Sequence, residues 1–101
     1  MALTAAQTRK DIAKTYNRPE DAAFVAAMQA ATDEQIDNLW DAPIVIKIGK
    51  APTGRECELV IRAIEWTDVT WVGKLQVACV SDAGEQIIKR SDMAKVIAAI
   101  S

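Results

Sequence analysis

Between Arg55 and Ser81 the sequence alternates apolar and polar residues over two stretches, and this pattern limits the fold more than any other feature of the chain. Cys57, Leu59, Ile61 and Ala63 fall on one face of a first strand, and Trp71, Gly73, Leu75, Val77 and Cys79 on one face of a second. Residues 66 to 70 between them read as a short turn. A slip of one residue in pairing would set every apolar side chain of one strand against the polar face of the other. Only registers whose paired residue numbers sum to an even value keep the faces matched. Centring the hairpin on Asp68 pairs Trp66 with Thr70, Ile61 with Leu75, Leu59 with Val77 and Cys57 with Cys79. The opposite face then carries Val60, Arg62, Ile64 and Trp66 beside Val72, Lys74, Gln76, Ala78 and Val80, a half-apolar surface that calls for a cover.

Helices flank this ribbon. Thr4-Ala5-Ala6-Gln7 fits a capping box and starts a first helix over about 5–16, with a thin apolar stripe of Ala5, Ile12 and Tyr16. Asn17-Arg18-Pro19 breaks it. Pro19, followed by Glu20 and Asp21, opens a second helix to about Ala31. That helix is rich in alanine and apolar most of the way round, suited to lying on a sheet or to meeting a partner. Thr32 and Gln35 repeat the capping pattern for a short third helix with Ile36, Leu39 and Trp40 inward, closed by Asp41-Ala42-Pro43. Ile44, Ile46 and Ile48 mark a strand, residues 49–54 a loop, Ser81 to Glu85 a turn with Gly84 in a left-handed position, and Gln86 to Arg90 a fourth strand. Ser91 caps a last helix with Met93, Val96, Ile97 and Ile100 on one stripe. The expected fold is α+β in one domain over residues 1–101: three N-terminal helices, a four-stranded, mostly antiparallel sheet around the central hairpin 55–81, and a C-terminal helix.

Composition narrows the function classes. Half of the 101 residues are hydrophobic and 26% are charged, the signature of a folded chain that can bury a core. A net charge of −2 lacks the basic excess of a dedicated nucleic-acid binder. Histidine is absent, which removes the commonest general base and zinc ligand. No run approaches the roughly 18 apolar residues of a membrane span, and the start lacks the regions of a secretory signal, so the expected compartment is the cytoplasm. There Cys57 and Cys79 stay reduced and act as small buried hydrophobes.

Among motifs, Gly49 to Glu56 imitates a Walker A loop in glycine spacing but has Arg55 and Glu56 where the phosphate-binding lysine and the metal-binding hydroxyl belong. It reads as a hairpin loop whose Lys50 and Arg55, with nearby Lys47, form a candidate anion contact. The cysteines lack the further ligands a metal requires and the base a catalytic thiol requires. Glu56 and Glu58, or Glu65 and Asp68, make no defensible acid–base pair. A helix-turn-helix reading fails because its recognition helix would carry Asp33, Glu34 and Asp37.

The sequence thus points to a non-enzymatic interaction module, an accessory or regulatory subunit that docks on a larger protein or assembly, with no cofactor, no metal and no catalytic residue. Size alone places such chains among phage and mobile-element accessory factors. The expected partner is a protein, or a second copy in a homo-oligomer. Candidate interface residues are Tyr16, Ala23, Ala27 and Ala30 on the helices and Arg62, Trp66 and Lys74 on the second sheet face. The second reading is a nucleic-acid contact module in which Trp66 stacks and Arg62 and Lys74 supply charge.

Overall fold

The computed structural model describes residues 4–65 and 74–100. Helix α1 spans Ala5–Thr15, a 3-10 turn Pro19–Asp21 leads into α2 (Ala22–Ala30), and α3 is the short Asp33–Asp37. Four strands follow, β1 (Ile44–Lys50), β2 (Glu56–Glu65), β3 (Lys74–Ser81) and β4 (Gly84–Ile88), and a second 3-10 turn, Arg90–Asp92, opens α4 (Met93–Ile100). The strands form one antiparallel sheet in the order β1-β2-β3-β4, each hydrogen-bonded to its neighbour in sequence. This is the α+β architecture expected from the sequence.

Local chemistry sets the helix ends. The Thr32 hydroxyl accepts from the Gln35 backbone N–H at 3.1 Å while the Gln35 side chain accepts from the Thr32 N–H at 2.9 Å, a complete capping box. Thr4 accepts from the Gln7 N–H at 3.2 Å, the hydroxyl half of the box expected there, and starts α1. Thr8, buried beside Ala5 and Ile12, continues the thin stripe of α1 and gives its hydroxyl hydrogen to the Thr4 carbonyl at 3.0 Å. Arg9 then joins the helices. Its guanidinium donates to Asp33 at 2.6 Å and to the Ala31 carbonyl at 2.7 Å, tying α1 to the junction between α2 and α3.

The helices cover one face of the sheet. Cys57, Leu59 and Ile61 of β2, Leu75, Val77 and Cys79 of β3, and Ile44 and Ile48 of β1 share one core with Ile12, Phe24, Met28, Ile36, Leu39 and Met93. These strand residues are the ones that alternation assigns to a single side. Tyr16 and Phe24 meet edge to face with ring centroids 5.0 Å apart, and Arg90 lies over the Tyr16 ring at 4.3 Å.

Several expectations need correction. Leu59 pairs with Cys79, Ile61 with Val77 and Ala63 with Leu75, one step of two residues away from the register centred on Asp68. Both registers satisfy the parity rule, so the face pattern cannot choose between them. The choice is made nearer the turn, where Glu65 pairs with Lys74 and Ile64 becomes the extra residue of a bulge. The turn itself, with Trp66 and Trp71, lies outside the described residues. Cys57 opposes Gly49 on β1 and sits diagonal to Cys79 rather than opposite it. Trp40 is 56% exposed instead of inward, because α3 ends at Asp37 and a turn held by Asp41 N–H to Asn38 O (2.9 Å) lets only Leu39 of the adjacent pair face the core. Ser91 lies within the 3-10 turn, whose N-cap is Lys89, and β4 begins at Gly84 with φ +89°, earlier than the sequence suggested.

Burial, and secondly the neighbouring Cys57, push the Cys79 thiol above its ordinary pKa. Both thiols are free and buried. A thiol-specific reagent at pH 8 is therefore expected to modify both slowly in native protein and rapidly in denaturant; fast native modification would place this face outside the core. Because folding favours the protonated thiol, the stability it contributes is full below the unfolded pKa and falls as pH rises above about 8.5, which alkaline denaturation curves would register.

Candidate functional site

The face of the sheet turned away from the helices has no helix packed on it among the described residues. Val45 pairs with Val60, Val60 with Ala78, and Ala78 with Ile87, so these four residues form an apolar row across all four strands. Val45 and Ile87, at the two ends, are 45% and 70% exposed, and Ile64 further along β2 is 52% exposed. Soluble chains commonly expose single apolar residues, but a continuous row with three large exposed side chains on one face is a docking surface in form.

The middle of the row is closed to water. Val60 is buried and Ala78 is 0% exposed, although neither belongs to the helix-side core. Arg62 on β2 and Glu85 on β4 are joined by an ion pair that reaches diagonally across β3, and register places Ala78 beneath it. The pair itself is well solvated, so its electrostatic contribution is small.

A hollow of about 490 Å³ opens beside this face, between its Ile64, Gln76 and Ile87 and the two 3-10 turns that bring Arg18, Asp21 and Arg90. Arg18 holds Asp21 at 3.1 Å and Glu20 at 3.0 Å, so both carboxylates are already tied to one guanidinium. Tyr16 behind it has its hydroxyl pKa raised by burial, with Arg90 and a Leu75 backbone hydrogen bond opposing that effect. This cluster joins the first helical turn of α2 to the last of the sheet. It presents no nucleophile paired to a base.

The residues singled out from sequence divide accordingly. Arg62 lies on the open face, and Lys74 lies there too, exposed at the start of β3. Trp66 lies outside the described residues. Tyr16 is buried against Phe24 and Arg90 and offers no surface. Ala23 and Ala27 are half-buried against the core and only Ala30 of that trio is exposed, so the outward stripe of α2 is Ala22, Ala26 and Ala30. Lys47 is engaged by Glu56 at 3.1 Å, and Lys50 and Arg55 are exposed around the β1–β2 turn, where the Thr53 hydroxyl meets Asp82 at 2.6 Å. These three cations do not converge with an anion site, since Glu56 and Asp82 stand among them. Sequence reasoning passed over Val45 and Ile87. Extending the parity rule to the outer strands would have found them.

No protein-family model matches the chain, and no curated protein or solved structure matches it. Among the described residues no helix is long and apolar enough to cross a membrane, and no group of three His, Cys, Asp or Glu gathers as metal ligands would.

Exposure at the ends of the row and burial at its middle predict opposite responses to mutation. Ile87→Lys should change stability by no more than about 0.5 kcal/mol, whereas Ala78→Glu, forcing a charge beneath the Arg62–Glu85 pair, should cost about 2 kcal/mol or more. Denaturant unfolding of the two variants checks this; equal losses would mean that the face is covered.

Proposed function

We propose that the chain is a non-enzymatic interaction module that binds protein through the open face of its sheet. The observation that carries this reading is the exposure of Val45 and Ile87 at the two ends of the row Val45–Val60–Ala78–Ile87, with exposed Ile64 beside it. Aliphatic side chains held on a rigid sheet supply contact area at low ordering cost, which favours docking over chemistry. An accessory subunit works in this way, contributing a surface to a larger assembly.

The same face argues against nucleic acid. Arg62 is neutralised by Glu85 and Lys47 by Glu56, while Glu58 stands unpaired among the described contacts on the same side of the sheet. Phosphates would meet the carboxylates Glu56, Glu58 and Glu85 set among the cations Lys47, Arg62, Lys74 and Lys89, a face without a strong basic excess. Trp40, exposed near Arg62 and Pro43 at the margin of the sheet, extends the apolar surface rather than a basic one.

Affinity capture from an extract of the source cells tests the reading, using the wild type, Ile87→Lys, and Lys95→Glu on the helical side as a control. Proteins other than the chain itself should be retained by wild type and Lys95→Glu and lost with Ile87→Lys. An identical set on all three baits, or capture of nucleic acid that falls steeply with salt, would contradict it.

A further inference from the structure

The balance of charge that borders the apolar row differs from one side to the other. One step along the strands in one direction lie Lys47, Glu58 and Glu85, joined through the pairings of Lys47 with Glu58, Glu58 with Val80 and Val80 with Glu85. One step in the other direction lie Arg62, opposite Gln76, and Lys89, which continues the alternation of β4 and lines the hollow with Ile64, Gln76 and Ile87. Lys47 is held by Glu56, so the charges left to a partner are Glu58 and Glu85 on one flank and Arg62 and Lys89 on the other, with the apolar line between them. Within one copy only Arg62 and Glu85 of these four meet; Glu58 and Lys89 have no ion-pair partner among the described contacts.

A surface with this layout complements itself. We propose that the open face binds a second copy of this chain, stacked face to face about a two-fold axis running along the Val45–Ile87 row. This rests on the reading of that face as a protein-docking surface and names its occupant. Rotation about such an axis keeps each strand over its own counterpart and exchanges the flanks. Glu58 of one copy then lies over Arg62 of the other, and Glu85 over Lys89, each contact occurring twice by symmetry. The other two-fold in the plane of the sheet, along the strands, sets Lys47 over Glu85 but leaves Glu58 over Val80 and Arg62 over Gln76, so two charges face uncharged groups. Burying charges without partners is costly, and the axis along the row leaves only Lys47, already held by Glu56 within its own copy, over an uncharged position.

The dimensions suit sheet-on-sheet packing. Outer strands of a four-stranded sheet lie roughly 14 Å apart, and two such faces stack about 10 Å from one another with strands within about 30° of alignment. The opposed charges are solvated at the rim of the contact, which makes the association sensitive to salt.

Sedimentation equilibrium on the full chain, with Ile87→Lys and the pair Glu58→Arg and Arg62→Glu, tests the proposal. Wild type should dimerise, and Ile87→Lys, with an unchanged circular dichroism spectrum, should be monomeric. Glu58→Arg alone and Arg62→Glu alone should each associate at least tenfold more weakly than wild type at low ionic strength, because each homodimer sets like charges opposite one another. Mixing the two variants should restore association, since every opposed pair is then of opposite sign. Ile87→Cys should also form a disulfide-linked dimer under mild oxidation, while Lys95→Cys on the helical side should not. A wild type monomeric at every concentration, a dimer that survives Ile87→Lys, or mixing that restores nothing would each overturn the two-fold pairing. Retention of other proteins by wild type and not by Ile87→Lys in the capture experiment would still uphold the docking reading, so the two fail separately.

Discussion

Strand β2 divides the protein. Its odd-numbered residues Cys57, Leu59 and Ile61 enter the helical core, while even-numbered Glu58, Val60, Arg62 and Ile64 belong to the other face. Both neighbouring strands follow that choice, because antiparallel pairing carries the side of each residue across to its partner. The core, the open face and the position of every charge on that face depend on it. A bulge at Ile48 in β1 and another at Ile64 in β2 adjust the edges without breaking the division.

The short helices can satisfy only one side. Helix α2 contributes Phe24 and Met28 and α4 contributes Met93, with Val96 and Ile97 packed at the margin, while α1 is held in place by Arg9 as much as by its thin stripe. No second helical layer is present among the described residues, so the even-numbered face keeps exposed apolar side chains, with the Arg62–Glu85 ion pair crossing it. A folded chain tolerates this exposure, since burial on the helical side already supplies a contiguous core. The proposed docking role therefore rests on the uncovered side of the sheet.

Much of the fold was legible in the sequence. Capping by Thr4 and Thr32, the break at Pro19, the four strands and the identity of the core face all follow from local chemistry and from a period of two. The exact pairing of β2 with β3 was not, because parity permits every second register and the bulge at Ile64 leaves no mark in the alternation. Trp40 was misplaced for a related reason: two adjacent apolar residues after a five-residue helix cannot both turn inward, and sequence offers no rule for which one does. The candidate surface was half legible. Arg62 and the mixed character of the second face were visible, but Val45 and Ile87 gain meaning only when four strands are in register and the row becomes continuous.

The central claim is that this sheet has one covered face and one open face. Methyl NMR on dilute protein with a soluble paramagnetic agent tests it most directly. The account predicts strong broadening of Ile87, Val45 and Ile64 methyls and little of Ile61, Leu59 and Val77; equal protection of both sets would contradict it.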